Sequence, residues 1–185
     1  MKARSLTGPG AEYPTLEALA DRLQIRATDH GIRRLAPGRG GDQTTARGQR
    51  HARQARRELR EYLAGRRTRF SVAADLRGLP EFRARVLAAT RRIPFGHVIS
   101  YGALARRIGH PRAARAVGGA LAANPVPLIV PCHRVVRGDG TWGPYALGAR
   151  LKTRLLALER RVASPATRAP RQGPGWPAVV IPSGA

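Results

Sequence analysis

The sequence predicts an α+β protein: a small α/β region ending near Asp75, then a mainly helical region that carries a helix-turn-helix. Three observations predict it. From Leu23 to Leu35 the pattern is strand, turn, strand: Leu23, Ile25 and Ala27 alternate with polar residues, and Ile32 with Leu35 resumes after an Asp29-His30-Gly31 turn. Beyond Leu79 the apolar spacing becomes helical. Between two of those helical segments, Gly109 and Pro111 mark a tight turn. The organisation expected is 1–75 for the first region, 76–162 for the second and 163–185 for a tail.

In chain order, Leu23, Ile25 and Ala27 form the apolar face of a first strand, and Ile32 with Leu35 resumes the pattern after the turn. Pro37 to Gly48, rich in glycine and polar residues, is expected to be a loop. Arg50 to Ala64 reads as a basic helix with Leu59, Tyr62 and Leu63 facing inward, stopped near Gly65. Glu81 to Arg92 carries Phe82, Val86 and Ala89 at helical spacing and ends before Pro94 and Gly96. Ser100 suits the N-cap of a helix with Tyr101, Leu104, Ala105 and Ile108 on one face, ended by Gly109. Arg112 to Ala123 gives the next helix, stopped at Asn124-Pro125. Two short helices about such a turn in a basic protein read as a helix-turn-helix, although an ordinary helical hairpin has the same pattern. Leu128 to Val136 is a strand-like run broken by Pro131-Cys132, and Gly138 to Gly148 is a glycine-rich loop. Ala149 to Arg161 is the last helix, with Leu151, Leu155 and Leu158 inward. The Pro, Gly, Ser and Ala content after Val162 predicts a disordered tail.

With 42% hydrophobic residues in 185, the chain has the material for a core. Its 34 basic residues against 11 acidic ones give a net charge of +23. Either the surface is simply basic and solvated, or the partner is a polyanion. Nucleic acid suits that charge better than a membrane, because no segment has the apolar length of a spanning helix or an export signal. A cytoplasmic monomer is expected. One cysteine excludes an intrachain disulfide and a zinc site built on several thiolates. The five histidines show no metal-ligand spacing, so neither a metal nor a cofactor is expected.

That cysteine, Cys132, follows a proline and is surrounded by His133, Arg134 and Arg137. Positive neighbours favour thiolate, whereas a buried cysteine at the end of a core strand would be inert. If His133 acts as a base it needs an orienting acceptor. Between Glu81 and Glu159 the only acidic residue is Asp139. Glu159 has only Leu155, Leu156, Val162 and Ala163 at helical spacing, so no basic residue on its own helix can pair with it. Glu159 is therefore the natural partner of His133, with Asp139 the other carboxylate within this stretch. The second helix of the pair turns Arg112, Arg115, Ala116, Gly119 and Ala123 outward if Ala114, Val117 and Leu121 face the core. Its Gly118-Gly119 lowers helix stability by about 1 kcal/mol per glycine. Either close approach to another surface or internal helix packing would compensate.

These residues resemble a known family. Tyr101-Gly102-Ala103-Leu104-Ala105, Arg112 to Gly118, Asn124-Pro125 and Pro131-Cys132-His133-Arg134-Val135-Val136 match, in order and spacing, the methylated-DNA–protein-cysteine methyltransferases, the O6-alkylguanine-DNA alkyltransferases. The likeness runs through Gly143, Tyr145, Gly148 and Lys152 to Glu159. It is weaker in Ala27 to Ile32 and Tyr62 to Gly65. It implies irreversible repair of double-stranded DNA: alkylated guanine is flipped out through the minor groove and its O6 substituent moves to Cys132. His133 would deprotonate the thiol through a water, Glu159 would orient His133, and Tyr101 would protonate the departing guanine. Asn124 would brace the turn before the active-site strand, and Arg115 would fill the place of the flipped base. Arg112, Ala113, Ala114, Ala116 and Gly119 would line the DNA, and Tyr145, Ala146 and Val135 the substrate pocket. The resemblance also implies a ribonuclease-H-like N-terminal domain with no share in transfer and a winged-helix-like second domain. Pro144 and Ala146 depart from the family's pattern, Pro144 lacking a backbone N–H before Tyr145. The rival readings are a lesion-binding or regulatory helix-turn-helix protein that transfers nothing and, behind it, a cysteine hydrolase.

Overall fold

The computed structural model describes residues 15–38 and 43–163. Part of the loop expected after Pro37 and all but the first residue of the tail expected over 163–185 lie outside the described residues.

Strands β1 (Leu23–Thr28) and β2 (Gly31–Pro37) form the expected antiparallel hairpin, with Ile25 opposite Leu35 and Thr28 opposite Gly31. Gly31 has φ +135°, and a Cβ there would lie 2.4 Å from the Ala73 carbonyl oxygen, so the hairpin needs glycine at this point. The stretch expected to be a loop holds a short strand, β3 (Gln43–Thr44), which runs parallel to β1 and completes the order β2-β1-β3. Its polar side chains hide the pairing from a pattern reading, because the strand is half exposed and two residues long. A 3-10 turn over Glu17–Arg22 precedes the sheet and buries Leu19 and Ala20. Helix α1 (Gly48–Leu63) lays Ala52, Ala55, Leu59, Tyr62 and Leu63 against the sheet side of the core.

The second region begins with α2 (Glu81–Arg91), which buries Val86 and Leu87. Strand β4 (Ile99–Ser100) leads into α3 (Tyr101–Arg107), where the Ser100 side chain accepts from the Ala103 N–H at 3.1 Å as the expected N-cap. Helix α4 (Ala114–Ala122) starts two residues later than expected. Ala113 leaves helical geometry at φ −93°, ψ 22°, and its N–H closes a turn onto the His110 carbonyl at 2.9 Å. Arg112 and Ala113 therefore sit in the turn of the helix pair. Val117, Ala120 and Leu121 are its buried face, while Ala114 is only half buried. Both α2 and α3 pack on α4.

Leu128 to Val136 is not one broken strand. Its last two residues form β5 (Val135–Val136), parallel to β4, and Val130 makes only an isolated bridge to Pro127. Upstream, the Val130 N–H turns back to the Val126 carbonyl at 3.0 Å, and Cys132–Arg134 forms a 3-10 turn. Pro131 has no N–H to give a ladder, so the chain folds here instead of extending. Helix α5 (Ala149–Ala163) closes the described chain with Leu151, Leu155 and Leu158 buried as expected, and Lys152, Leu156 and Glu159 beside them. One hydrophobic cluster runs from Leu19 through α1 to Leu155, so both regions share a core. The Leu35 N–H also reaches the Pro125 carbonyl at 2.8 Å, tying β2 to the stretch that leads into Cys132. Among the described residues no helix is long and apolar enough to cross a membrane.

Candidate active site

Cys132 opens the 3-10 turn and is 5% exposed. Asn124 governs its approach: Nδ2 donates to the Val130 carbonyl at 3.0 Å and to Cys132 Sγ at 3.1 Å, and Oδ1 accepts from the Val126 N–H at 3.0 Å. One side chain thus pins the turn and the sulfur together. Leu128, within the same turn, holds φ +74°, a left-handed conformation uncommon for a side chain of its size. Burial pushes the Cys132 thiol up to about 11, against the Asn124 N–H and the Lys152 ammonium, which favour thiolate. The expectation that positive neighbours lower this pKa is thereby corrected. Arg134 turns away to a carboxylate, Arg137 is exposed, and desolvation outweighs what remains.

The carboxylate is Glu159. Its Oε1 lies 2.8 Å from His133 Nε2, and both side chains are buried. Arg134 Nε sits 3.0 Å from each Glu159 oxygen, and Nη2 sits 2.9 Å from Oε1. The Gly96 N–H donates to Oε2 at 2.9 Å, and the Tyr62 hydroxyl donates to Oε1. Asp139 takes no part: its exposed carboxylate accepts from the Thr141 N–H at 2.9 Å and the Thr141 hydroxyl at 2.7 Å. Burial alone would raise the Glu159 pKa, but the Arg134 charge and the hydrogen bonds from His133 and Arg134 hold it well below the usual carboxylate range. Burial also lowers the His133 pKa, with Arg134 and Lys152 acting in the same sense against Glu159. The imidazole is therefore neutral, with its hydrogen on Nε2 facing the carboxylate. Nδ1 keeps the lone pair and makes no hydrogen bond to any described residue. A histidine so held can accept a proton at Nδ1.

Three contributors escaped the sequence reading. Tyr62 was assigned only to the core face of its helix, yet a buried phenol needs a hydrogen-bond partner, and that was the available signal. Lys152 lies seven residues before Glu159 on the same leucine stripe; it is buried, donates to the Val135 carbonyl at 2.7 Å and to the Trp142 carbonyl, and burial lowers its pKa to about 8. A backbone group, Gly96 N–H, carried no signal at all.

Other expected site residues fall around this centre. Tyr145 stands edge-on to His133, ring centroids 6.0 Å apart at 77°, and its buried hydroxyl makes no hydrogen bond to a described residue. Tyr101 is half buried at the start of α3, and burial raises its pKa, with Cys132 adding to the rise. Val135 is fully buried and Ala146 is exposed. On α4 and its turn, Arg112, Arg115, Ala116, Gly119 and Ala123 are exposed, and Ala113 and Ala114 are half buried. The two glycines separate. A Cβ on Gly118 would meet the Tyr101 ring at 3.9 Å, whereas one on Gly119 would meet nothing within 4 Å. Internal packing therefore does not account for Gly119.

Fold and site together define an α+β protein with two packed helices joined by a tight turn and a buried histidine–carboxylate pair next in sequence to a buried cysteine. Residues 81–161 match the family described as "6-O-methylguanine DNA methyltransferase, DNA binding domain". A methylated-DNA–protein-cysteine methyltransferase of Mycolicibacterium paratuberculosis is 49% identical over 104 residues, which cover 56% of this chain and 62% of that protein. Its counterpart in Methanosarcina acetivorans is 44% identical over 58% of this chain and 68% of its own length. Among solved structures, that of Mycobacterium tuberculosis OGT in complex with DNA aligns with TM-score 0.63 and 38% identity, over 72% of this chain and 83% of that one. A second M. tuberculosis structure, of O6-methylguanine methyltransferase, gives TM-score 0.62 and 35% identity over 75% and 93%. The chain belongs to the methylated-DNA–protein-cysteine methyltransferase family.

Proposed function

We propose that this chain repairs DNA by moving the O6-alkyl group of an alkylated guanine onto its own Cys132. The observation that carries the reading is the buried His133, neutral, fixed at Nε2 by Glu159 and next in sequence to a cysteine that Asn124 holds in place. The thiol of Cys132 gives its proton to Nδ1 of His133, through a water because Nδ1 makes no hydrogen bond to the thiol. The Asn124 N–H stabilises the sulfur anion as it forms. The sulfur then bonds to the alkyl carbon, the carbon–oxygen bond breaks, and its electron pair leaves with the guanine, which Tyr101 protonates. Glu159 stabilises the protonated His133 throughout. A desolvated thiol with a high pKa is weakly reactive until its base removes the proton, which suits a residue that reacts once.

The DNA would meet α4. The exposed Arg112, Ala116 and Gly119, with the half-buried Ala113 and Ala114, present a surface with few large side chains, which suits close approach in a minor groove, with Arg115 taking the flipped base's place. Tyr145, Ala146 and Val135 would line the pocket for that base. In this reading 76–162 is a winged-helix-like domain for binding and transfer. The described part of 1–75 would be a ribonuclease-H-like unit, a reading supported by the antiparallel hairpin with a parallel third strand.

Intact-mass measurement after incubation with O6-methylguanine DNA tests the proposal. A single methyl adduct is expected in the wild type and none in Cys132→Ser, with DNA affinity kept. Unchanged mass of the wild type with retained binding would favour a protein that binds lesions without transfer.

A further inference from the structure

Cys132, His133, Asn124, Tyr101 and Glu159 all stand in the second region, yet the first region supplies a group to the same carboxylate. Tyr62, on α1, is fully buried, with its ring 5.0 Å from that of Phe70 and edge-on to Phe95 at 5.8 Å. These contacts leave the phenol a fixed direction. Its hydroxyl donates to Glu159 Oε1, the oxygen that also faces His133, and lies 3.2 Å from His133 Nε2. The partner this buried phenol takes is the same oxygen that the base uses.

We infer that Tyr62 is a positioning residue for alkyl transfer: its hydroxyl shares Glu159 Oε1 with His133 and thereby limits how strongly the carboxylate holds a proton on the imidazole. The inference rests on the transfer mechanism proposed above. Every charged or titratable group around His133 enters the balance. Glu159 on α5 favours the imidazolium, Arg134 on the 3-10 turn and Lys152 on α5 oppose it, and Cys132, Tyr145 and Tyr62 complete the surroundings. Two donors, Arg134 and Tyr62, withdraw negative charge from the oxygen that faces the imidazole. Burial raises the Tyr62 pKa well above its ordinary value, so the phenol is a donor at neutral pH. Without its hydroxyl, Glu159 would interact more strongly with His133 and the imidazole would stay protonated to higher pH. A protonated His133 cannot take the Cys132 proton.

The test is Tyr62→Phe, which keeps the ring, studied in the full chain with O6-methylguanine duplex DNA. Single-turnover transfer is followed across pH, and the His133 ring nitrogens are titrated by NMR. The expected result is a His133 midpoint raised by about one unit, the scale of one hydrogen bond to a charged group. The acid limb of the transfer rate should move with it, while the rate above both midpoints is largely retained. Lower thermal stability with an unmoved midpoint is the signature of a packing role and overturns the inference. In the wild type, an exchange-protected Tyr62 hydroxyl proton coupled in space to the His133 Nε2 hydrogen is also expected. Its absence overturns the inference without any substitution. Absence of any methyl adduct in the wild type would instead strike the transfer mechanism itself.

Discussion

Arg134 Nε lies 3.0 Å from both carboxylate oxygens of Glu159, so the acid that steadies His133 is itself neutralised by the next residue in the chain. Adjacent residues therefore reach the same carboxylate, His133 through its ring edge and Arg134 through its guanidinium. Arg134, a close sequence neighbour of the Cys132 sulfur, turns in the fold to Glu159. This relocation explains how a run rich in positive charge leaves its cysteine protonated.

Arg134→Ala is accordingly expected to destabilise the protein by about 3–5 kcal/mol, the usual result of stripping one partner from a buried ion pair. Urea unfolding measures it. The pH dependence has a definite sign. The Glu159 carboxyl is held below its unfolded value, so its contribution is full above the unfolded value of about 4.3 and is lost as pH falls through the folded one. The gap between wild type and variant should thus be complete at neutral pH and close only in acid. A gap of a few tenths of a kcal/mol at neutral pH would show that Glu159 keeps its charge without Arg134.

Cys132 in the free protein is expected to titrate at about 11, because burial outweighs the donors around it. Thiolate absorbance against pH reads the midpoint directly, and iodoacetamide labelling should quicken toward it. Asn124→Ala removes the N–H that faces Sγ at 3.1 Å, so its midpoint should lie higher still. A wild-type midpoint at the ordinary cysteine value, about 8.5, would mean that the surrounding positive charge prevails over desolvation.

The parts of this site visible in the sequence are those set by short range. Cys132 and His133 are neighbours, and Glu159 stands on a leucine stripe with no basic residue at helical spacing on its own helix, so its charge had to be answered from elsewhere. Tyr62 answers the same carboxylate from 97 residues away, and nothing local distinguishes it from a core aromatic. The β1–β2 hairpin followed from the alternation of Leu23, Ile25 and Ala27 and its turn residues, the last helix from its leucine spacing, and both matched closely. The start of α4 and the course of Leu128 to Val136 did not. There, proline and turn hydrogen bonds override apolar patterning, as the carbonyls of His110 and Val126 capture N–H groups that a helix or strand would have used.

Arg115 is exposed at the start of α4, where Arg115→Ala should leave the fold untouched. Its loss is expected to weaken repair in duplexes more than in single strands. Extruding a base costs a few kcal/mol of stacking and pairing, and that cost is much smaller without a complementary strand. Transfer rates on the two substrates, compared at one salt concentration, supply the measurement. Equal losses on both would reduce Arg115 to a phosphate contact.

The most direct check of the mechanism is its stoichiometry. Attack by the Cys132 sulfur on a methyl carbon gives a thioether, which has no carbonyl for water to attack and no exchangeable sulfur–sulfur bond. The chain has no second cysteine to resolve the product, and His133 has no leaving group to protonate once the guanine has gone. One methyl group per protein molecule is therefore expected, followed by inactivity, with the added mass on the peptide that contains Pro131 to Arg134. Titrating excess methylated DNA should leave unrepaired lesions equal to the surplus over active protein. The buried centre adds a second readout, because a methyl group on a sulfur only 5% exposed must displace its neighbours. The Asn124 N–H would then face a thioether instead of a thiol, and the methylated protein should unfold at lower temperature than the free one. Turnover beyond one equivalent would show that the sulfur is regenerated, and would return a hydrolytic cysteine to consideration.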